Sequence, residues 1–235
     1  MLENLLEPAS SFAADIDNVI LVVTILVGPW FLASMGMFFW LIVRFRHREG
    51  QKAQYVTGDE PHLKRWITIP HALIIICDIF IIIAAVRVWM DVKQNAPEPD
   101  STIRVTAQQW AWTFRHPGRD NQLDTDDDIV TVDELHVELD RTYHYQLESV
   151  DVLHDFSVPV FRLKQDAIPG RRIMGWFQPI LTGTWDIQCA EMCGIGHGAM
   201  AARIVVETPE QHRQWVEGRS PGAVATADAR PTVQP

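Results

Sequence analysis

The sequence predicts a two-helix transmembrane hairpin followed by an all-β sandwich. Three observations carry this. Two long apolar runs fill about the first ninety residues, with a basic stretch between them. Beyond a proline-rich joint at 95–100 the pattern changes to short segments in which apolar and polar residues alternate. Most of the acids behind the net charge of -10 lie outside the apolar runs. An unbroken apolar run is the mark of a membrane span, and period-two alternation that of a half-buried strand. The expected divisions are an outer N-terminal segment (1–17), a transmembrane hairpin (18–95) with a cytoplasmic loop at 44–65, a β domain (96–215) and a disordered tail (216–235).

Residues 1–17 carry Glu3, Glu7, Asp15 and Asp17 but no Lys or Arg, so they lack the basic start of a secretory signal. From Asn18 to Val43 the chain is almost wholly apolar. At ~1.5 Å per residue this crosses a hydrocarbon core of ~30 Å. Pro29, in mid-span, is expected to kink the helix. Ala33, Ser34 and Gly36 offer a small-residue face for a neighbouring helix. Arg44, Arg46 and Arg48 then stop the span, and Lys52, Lys64 and Arg65 extend the positive bias, which puts this loop in the cytoplasm and both termini outside.

The second span, Trp66–Trp89, has a tryptophan at each end and contains His71 and Asp78. Two helical turns separate these two, so they share a face, and a carboxylate in hydrocarbon is costly enough that this face should meet protein. A contact with a partner membrane subunit is the expected role; proton handling is the other reading.

In the β domain Ile103, Val105 and Ala107 share one parity, whereas Trp110, Trp112 and Phe114 share the other, so a β-bulge is expected near Gln108–Gln109. Leu135–Leu139 and Tyr143–Leu147 alternate, and further strands are expected at 174–177, 184–188 and 203–207. The tail after Trp215 is rich in Gly, Pro, Ala and Thr.

The chemistry is concentrated at Gln188–Met200, Q-C-A-E-M-C-G-I-G-H-G-A-M. This loop can aim Cys189, Cys193, His197, Met200 and a backbone carbonyl at one point. Thiolate and thioether ligands select copper over hard cations. Structural zinc or a disulfide between Cys189 and Cys193 would use the cysteines but not Met200. The third cysteine, Cys77, sits in an apolar run, so there is no disulfide framework. A second histidine is available at His154 in S-V-D-V-L-H-D-F-S-V-P.

Both stretches resemble subunit II of the haem-copper oxidases, which carries the binuclear copper centre CuA. The resemblance implies a cupredoxin-like Greek-key sandwich whose copper ligands are His154, Cys189, Glu191 (through its carbonyl), Cys193, His197 and Met200. It extends to Trp66 and Pro70 in the second span and to Gln109-Trp110-Ala111-Trp112, where it makes Trp110 the residue through which electrons enter. It also implies that Asp151 helps dock a basic c-type cytochrome, that Asp166 lies at the interface with subunit I, and that Glu191 holds a Mg ion shared with that subunit. Two positions depart from the family pattern. Leu63 stands where relatives commonly carry a Glu at a proton pathway, and Ala111 stands where they carry a Tyr.

The expected function is therefore that of a terminal cytochrome c oxidase subunit, passing single electrons from a c-type cytochrome through CuA to haem in subunit I, where O2 is reduced and protons are pumped. No C-x-x-C-H follows the β domain in this sequence, so the donor is expected to be a separate protein. Other oxidase subunits, a copper chaperone for loading and membrane lipid are the remaining expected partners; the acidic charge argues against nucleic acid. The expected location is the bacterial inner membrane, with the copper domain on its periplasmic side. The CuA subunit of a nitric oxide reductase and a membrane copper-delivery protein are the rival readings. The run Asp124, Asp126, Asp127 and Asp128 is expected to be a solvated hairpin or a donor-docking patch, with Ca binding as the other reading. His116, His136, His144 and His212 lack ligand-like spacing and are expected to be surface or internally bonded residues.

Overall fold

The computed structural model describes residues 7–52, 55 and 57–220. The described residues divide into two compact units, one of Asp15–Asp91 and the other of residues 92–220 together with 7–14.

The first unit is helical. α1 spans Ala13–Arg44 and α2 spans Pro61–Trp89, with a π-helical turn at Met90–Gln94. Asp15 in the first turn of α1 and Arg44 in its last complement the helix dipole. The 32 residues of α1 give a length of ~48 Å, enough to cross a bilayer with turns to spare. Both helices begin about five residues before the apolar runs do, so Trp66 sits more than a turn inside α2 rather than at its start. Each also continues through its internal proline, Pro29 or Pro70. None of the residues in the most apolar stretch of either helix is buried within the protein, which leaves these faces for lipid or a partner.

The second unit is a sandwich of two five-stranded sheets, ordered β3-β2-β1-β5-β8 and β4-β10-β9-β6-β7. Its strands are β1 Ser101–Gln108, β2 Ala111–His116, β3 Ile129–Val132, β4 Glu134–Glu138, β5 Tyr143–Ser149, β6 His154–Val158, β7 Leu163–Ala167, β8 Ile173–Phe177, β9 Gly183–Cys189 and β10 Ala201–Glu207. The chain changes sheet after β3, β4, β5, β7 and β8. β1 runs parallel to β5 and β4 to β10, while the other pairs are antiparallel, a cupredoxin-like Greek key. Phe156 of β6 joins the layers: its ring lies 5.5 Å from Trp112, 5.8 Å from Tyr145 and 6.3 Å from Phe114, all on the opposite sheet.

The expected bulge near Gln108–Gln109 is instead a hairpin turn. β1 and β2 pair antiparallel around Gln109–Trp110, whose peptide bond is cis, with Val105 opposite Phe114 and Ala107 opposite Trp112. Cross-strand partners point to the same face. Odd residues pair with even ones in this register, so the inward parity must switch without any extra residue in a strand.

The end of the domain also differs from expectation. A helix α3, Pro209–Arg219, starts at a capping box in which Thr208 and Gln211 bond each other's backbone, and Ser220 behind it is buried. Thus 216–220 are helical or packed; the rest of the expected tail, 221–235, lies outside the described residues. α3 docks on the sandwich through Trp215, which stacks on His136 at 4.4 Å and on His212 at 5.6 Å and meets His116 edge-on at 4.9 Å. Glu207 accepts from His136 Nδ1 at 2.8 Å and from His212 Nδ1 at 2.9 Å. These histidines are therefore buried and bonded, and the half-buried His144 bonds the Pro97 carbonyl.

The acidic run is also bonded within the chain. Asp124 makes a bidentate pair with Arg104, and Asp128 pairs with Arg115 at 3.0 Å. Asp127 accepts from Thr125 Oγ1 at 2.7 Å and from the Arg119 N–H at 2.6 Å.

At the opposite edge, N-terminal residues complete the sandwich. The Ala9 N–H bonds the Val160 carbonyl, the Ile180 N–H bonds the Ala9 carbonyl, and Ser10 Oγ donates to Phe161. Phe12 packs edge-on against Trp176 at 5.2 Å.

Candidate metal centre

The antiparallel pair β9–β10 places Gln188 opposite Ala201, so everything between forms one hairpin loop. The loop closes on itself: the Cys189 N–H bonds the Met200 carbonyl, and His197–Ala199 form a 3-10 turn anchored on Gly194 and Gly196. β6 lies beside β9 with Phe156 opposite Cys189, which brings His154 at the head of β6 to the loop.

Cys189 Sγ and Cys193 Sγ stand 3.7 Å apart, too far for a disulfide, and both thiols are free. His154 Nδ1 lies 3.8 Å from Cys189 Sγ, His197 Nδ1 lies 3.6 Å from Cys193 Sγ, and Met200 Sδ lies 3.8 Å from Cys193 Sγ. The Glu191 carbonyl oxygen is 3.3 Å from Cys189 Sγ. The six expected ligand positions thus converge, from one loop and one neighbouring strand. Two sulfurs held by one ion at ~2.3 Å, near the tetrahedral angle, stand roughly 3.7 Å apart, so the donor set fits a metal. His154, Cys189, Cys193 and Met200 are all under a tenth exposed. Burial first, then the neighbouring Cys189, pushes the Cys193 thiol up to about 11, the state that a bound cation would reverse.

Around these donors lies a second layer of contacts. His154 Nε2 donates to Asp151 Oδ1 at 2.8 Å, which fixes Nδ1 as the ring atom facing the sulfurs. Partial burial opposes the charge on Asp151, but hydrogen bonds from His154, Gln109 and Val152 outweigh it and hold the carboxyl below its usual value. Trp110, 39% exposed, donates from Nε1 to the Cys193 carbonyl at 3.3 Å, and Gln109 Nε2 donates to the same oxygen at 2.8 Å. Trp112, by contrast, is fully buried in the core and packs edge-on against His154.

Asp166 is exposed on β7, opposite the buried Asp155 of β6. Burial, and then the Asp166 carboxyl beside it, pushes Asp155 up to about 7, with Glu191 adding to the effect. His71 and Asp78 lie on α2 in the helical unit, both exposed, with His71 Nδ1 2.8 Å from the Ile67 carbonyl. Sequence reasoning missed Gln109 and Asp155. The first stands beside Trp110 in the same motif, so proximity could have drawn attention to it; the second follows His154 directly but carries no signal of burial.

Comparison with known proteins identifies the family. The sequence profile described as cytochrome c oxidase subunit II, periplasmic domain, matches residues 101–208. The alternative cytochrome c oxidase subunit 2 of Bradyrhizobium diazoefficiens is 31% identical over 224 residues, which covers 86% of this chain and 79% of that protein. Cytochrome c oxidase subunit 2 of Thermostichus vulcanus is 29% identical, covering 97% of this chain and 81% of the other. The crystal structure of the periplasmic domain of subunit II of cytochrome oxidase from Bradyrhizobium japonicum is similar over 53% of this chain and 96% of that one, at 29% identity and a TM-score of 0.48. With the 31% identity sustained across most of both chains, the chain belongs to the cytochrome c oxidase subunit II family.

Proposed function

We propose that this chain is the electron-accepting subunit of a terminal cytochrome c oxidase, carrying single electrons from a reduced c-type cytochrome to haem in subunit I, where O2 is reduced and protons are pumped. The observation that carries the proposal is the convergence of two thiols, two imidazoles, a thioether and a carbonyl in a buried pocket under an exposed tryptophan. His154, Cys189, Glu191, Cys193, His197 and Met200 would hold the CuA pair, which supplies a one-electron redox couple when bound. A thioether beside thiolates and imidazoles favours copper over zinc.

The protein's own residues bind, orient and exclude water. Cys193 lies within 4 Å of the other cysteine, of His197 and of Met200, so it stands at the middle of the donor set. The fold closes Phe156 and Trp112 behind His154, which keeps the site dry on the domain side. Trp110 is the outward contact, and with Asp151 it forms the surface for the basic donor. The half-buried Glu191 offers, besides its carbonyl, a hard carboxylate oxygen of the kind Mg takes at an interface with subunit I. Asp166 on the domain, and His71 and Asp78 on α2, are assigned to subunit interfaces.

The two apolar helices anchor the chain in the bacterial inner membrane among lipid and the other oxidase subunits, with the loop between them cytoplasmic, both termini and the copper domain periplasmic, and copper supplied by a chaperone. Support for both termini lying on one side comes from the N-terminal residues, which belong to the same compact unit as the sandwich.

Metal analysis and EPR of the full-length, copper-loaded chain purified from membranes test the reading. Two coppers per chain sharing one unpaired electron, with a haem-bearing subunit co-purifying, is the expected result. A single copper, or zinc alone, would overturn it and favour a copper-delivery protein.

A further inference from the structure

The geometry points to Gln109 and Asp151 as a pair of positioning residues that brace the metal centre from outside its ligand set, an inference that rests on the metal-centre reading above. Asp151 is only 29% exposed at its side chain, and its carboxylate is already committed. Oδ1 accepts from His154 Nε2 at 2.8 Å and from the Val152 N–H at 2.6 Å, while Oδ2 accepts from the Gln109 N–H at 2.7 Å. Gln109 in turn donates from Nε2 to the Cys193 carbonyl at 2.8 Å. A continuous chain of hydrogen bonds therefore runs from His154 through Asp151 and Gln109 to Cys193. It links one ligand on β6 to another in the β9–β10 loop by way of the β1–β2 turn that carries Trp110.

Three consequences follow from this arrangement. The His154 ring is held as the Nε2–H tautomer, with Nδ1 left to bind metal. A carboxylate on the far nitrogen raises the basicity of the ligand and fixes the plane of its ring. Because Gln109 and Trp110 both bond the Cys193 carbonyl, the same brace holds the indole against the loop. Asp151 thus acts through His154, not only through its charge on the donor-facing surface.

Asp151→Glu and Gln109→Ala in the full-length chain separate these roles. Glu keeps the charge but cannot place its carboxylate between His154 and Gln109. Asp151→Glu is expected to lower copper affinity about tenfold, to change the histidine nitrogen coupling in pulsed EPR and to shift the reduction potential. Gln109→Ala leaves the Asp151–His154 bond in place and is expected to shift the potential in milder form. Wild-type affinity, coupling and potential in Asp151→Glu, together with weakened association in Asp151→Asn, would make Asp151 a docking acid alone and overturn the brace. Ring-nitrogen NMR of labelled histidines in the metal-free chain reads the same brace without copper. His154 should be Nε2-protonated in the wild type and lose that fixed tautomer in Asp151→Glu; unchanged spectra would overturn the proposal. A wild-type chain that binds no copper pair but keeps the fixed tautomer would instead sink the metal-centre reading and leave the brace standing.

Discussion

The indole of Trp110 lies on Gly196, so close that a Cβ at that glycine would come within 2.4 Å of the ring. Gly194 touches the same ring from two residues further back, at 3.2 Å for its own Cβ position, and its φ of +120° already requires glycine. Gly196 has an ordinary φ of −90°, so the space under the indole alone is what forbids a side chain there.

Gly196→Ala should therefore displace Trp110 without straining the backbone, at a cost of about 1–3 kcal/mol in stability. Copper content should stay at the wild-type level, while electron transfer from reduced cytochrome c slows about tenfold or more as the outward contact moves. Stopped-flow reduction of the loaded chain measures this; an unchanged rate would show that the ring's seat on the loop does not matter for transfer.

Met200 is almost wholly buried and its sulfur faces Cys193, so Met200→Leu removes the thioether while nearly conserving volume. The substitution should cost less than about 1.5 kcal/mol in stability. The loaded protein should nevertheless change its optical and EPR spectra and its reduction potential. A spectrum identical to wild type would remove Met200 from the ligand set.

Phe156→Ala should destabilise the sandwich by about 3–5 kcal/mol, because the ring bridges the two sheets. It should also weaken copper binding. Phe156 sits opposite Cys189 and two residues after His154, so a cavity there lets both ligands relax. Denaturant unfolding and copper competition on one variant test the link; loss of stability with copper affinity intact would break it.

Acid should loosen the C-terminal helix. Burial first, and then the neighbouring His136 and His212, lowers His116 from 6.5 to about 3. The folded value lies below the unfolded one, so the stability from keeping this ring neutral is complete above pH 6.5 and is lost as pH falls towards 3, at ~1.4 kcal/mol per pH unit. Burial alone would raise Glu207, but hydrogen bonds from His136 and His212 outweigh it and bring the carboxyl to about 2, so its contribution holds above pH 4.5 and fades between 4.5 and 2. Thr131, Glu134 and Trp215 complete the surroundings of this cluster. The melting temperature should fall between pH 6.5 and 4.5, and fall less steeply in His116→Gln; equal slopes would exonerate His116.

Legibility in the sequence followed locality. Five of the six ligand positions lie in one loop, so their types and spacing announce a soft metal site; His154, 35 residues before Cys189, took its place only from the family resemblance. Strands half exposed on one side, such as β1 and β5, betray themselves by alternation. β6 does not, because all five of its residues are buried and no polar face remains to set a period. The acids were visible at Asp151 and Asp166, but a charge read from sequence says nothing of whether it meets a partner protein or an imidazole 2.8 Å away. At α3 the signal was present in Thr208-Pro209 and Gln211 yet was outweighed by the composition of the segment that follows.

The strap formed by Ala9–Phe12 has a consequence for how the protein is made. Ser10 bonds Phe161 across 151 residues of sequence, and Ala9 reaches both Val160 and Ile180, so these residues must wait for partners that are synthesised long after them. Along the chain, two helices long and apolar enough to cross a membrane separate them from the edge they close. Residues 9–12 and the β domain must therefore share a compartment before the fold can be finished. A β domain released by cutting the chain after the second helix would lack this strap and leave Phe161 and Trp176 uncovered.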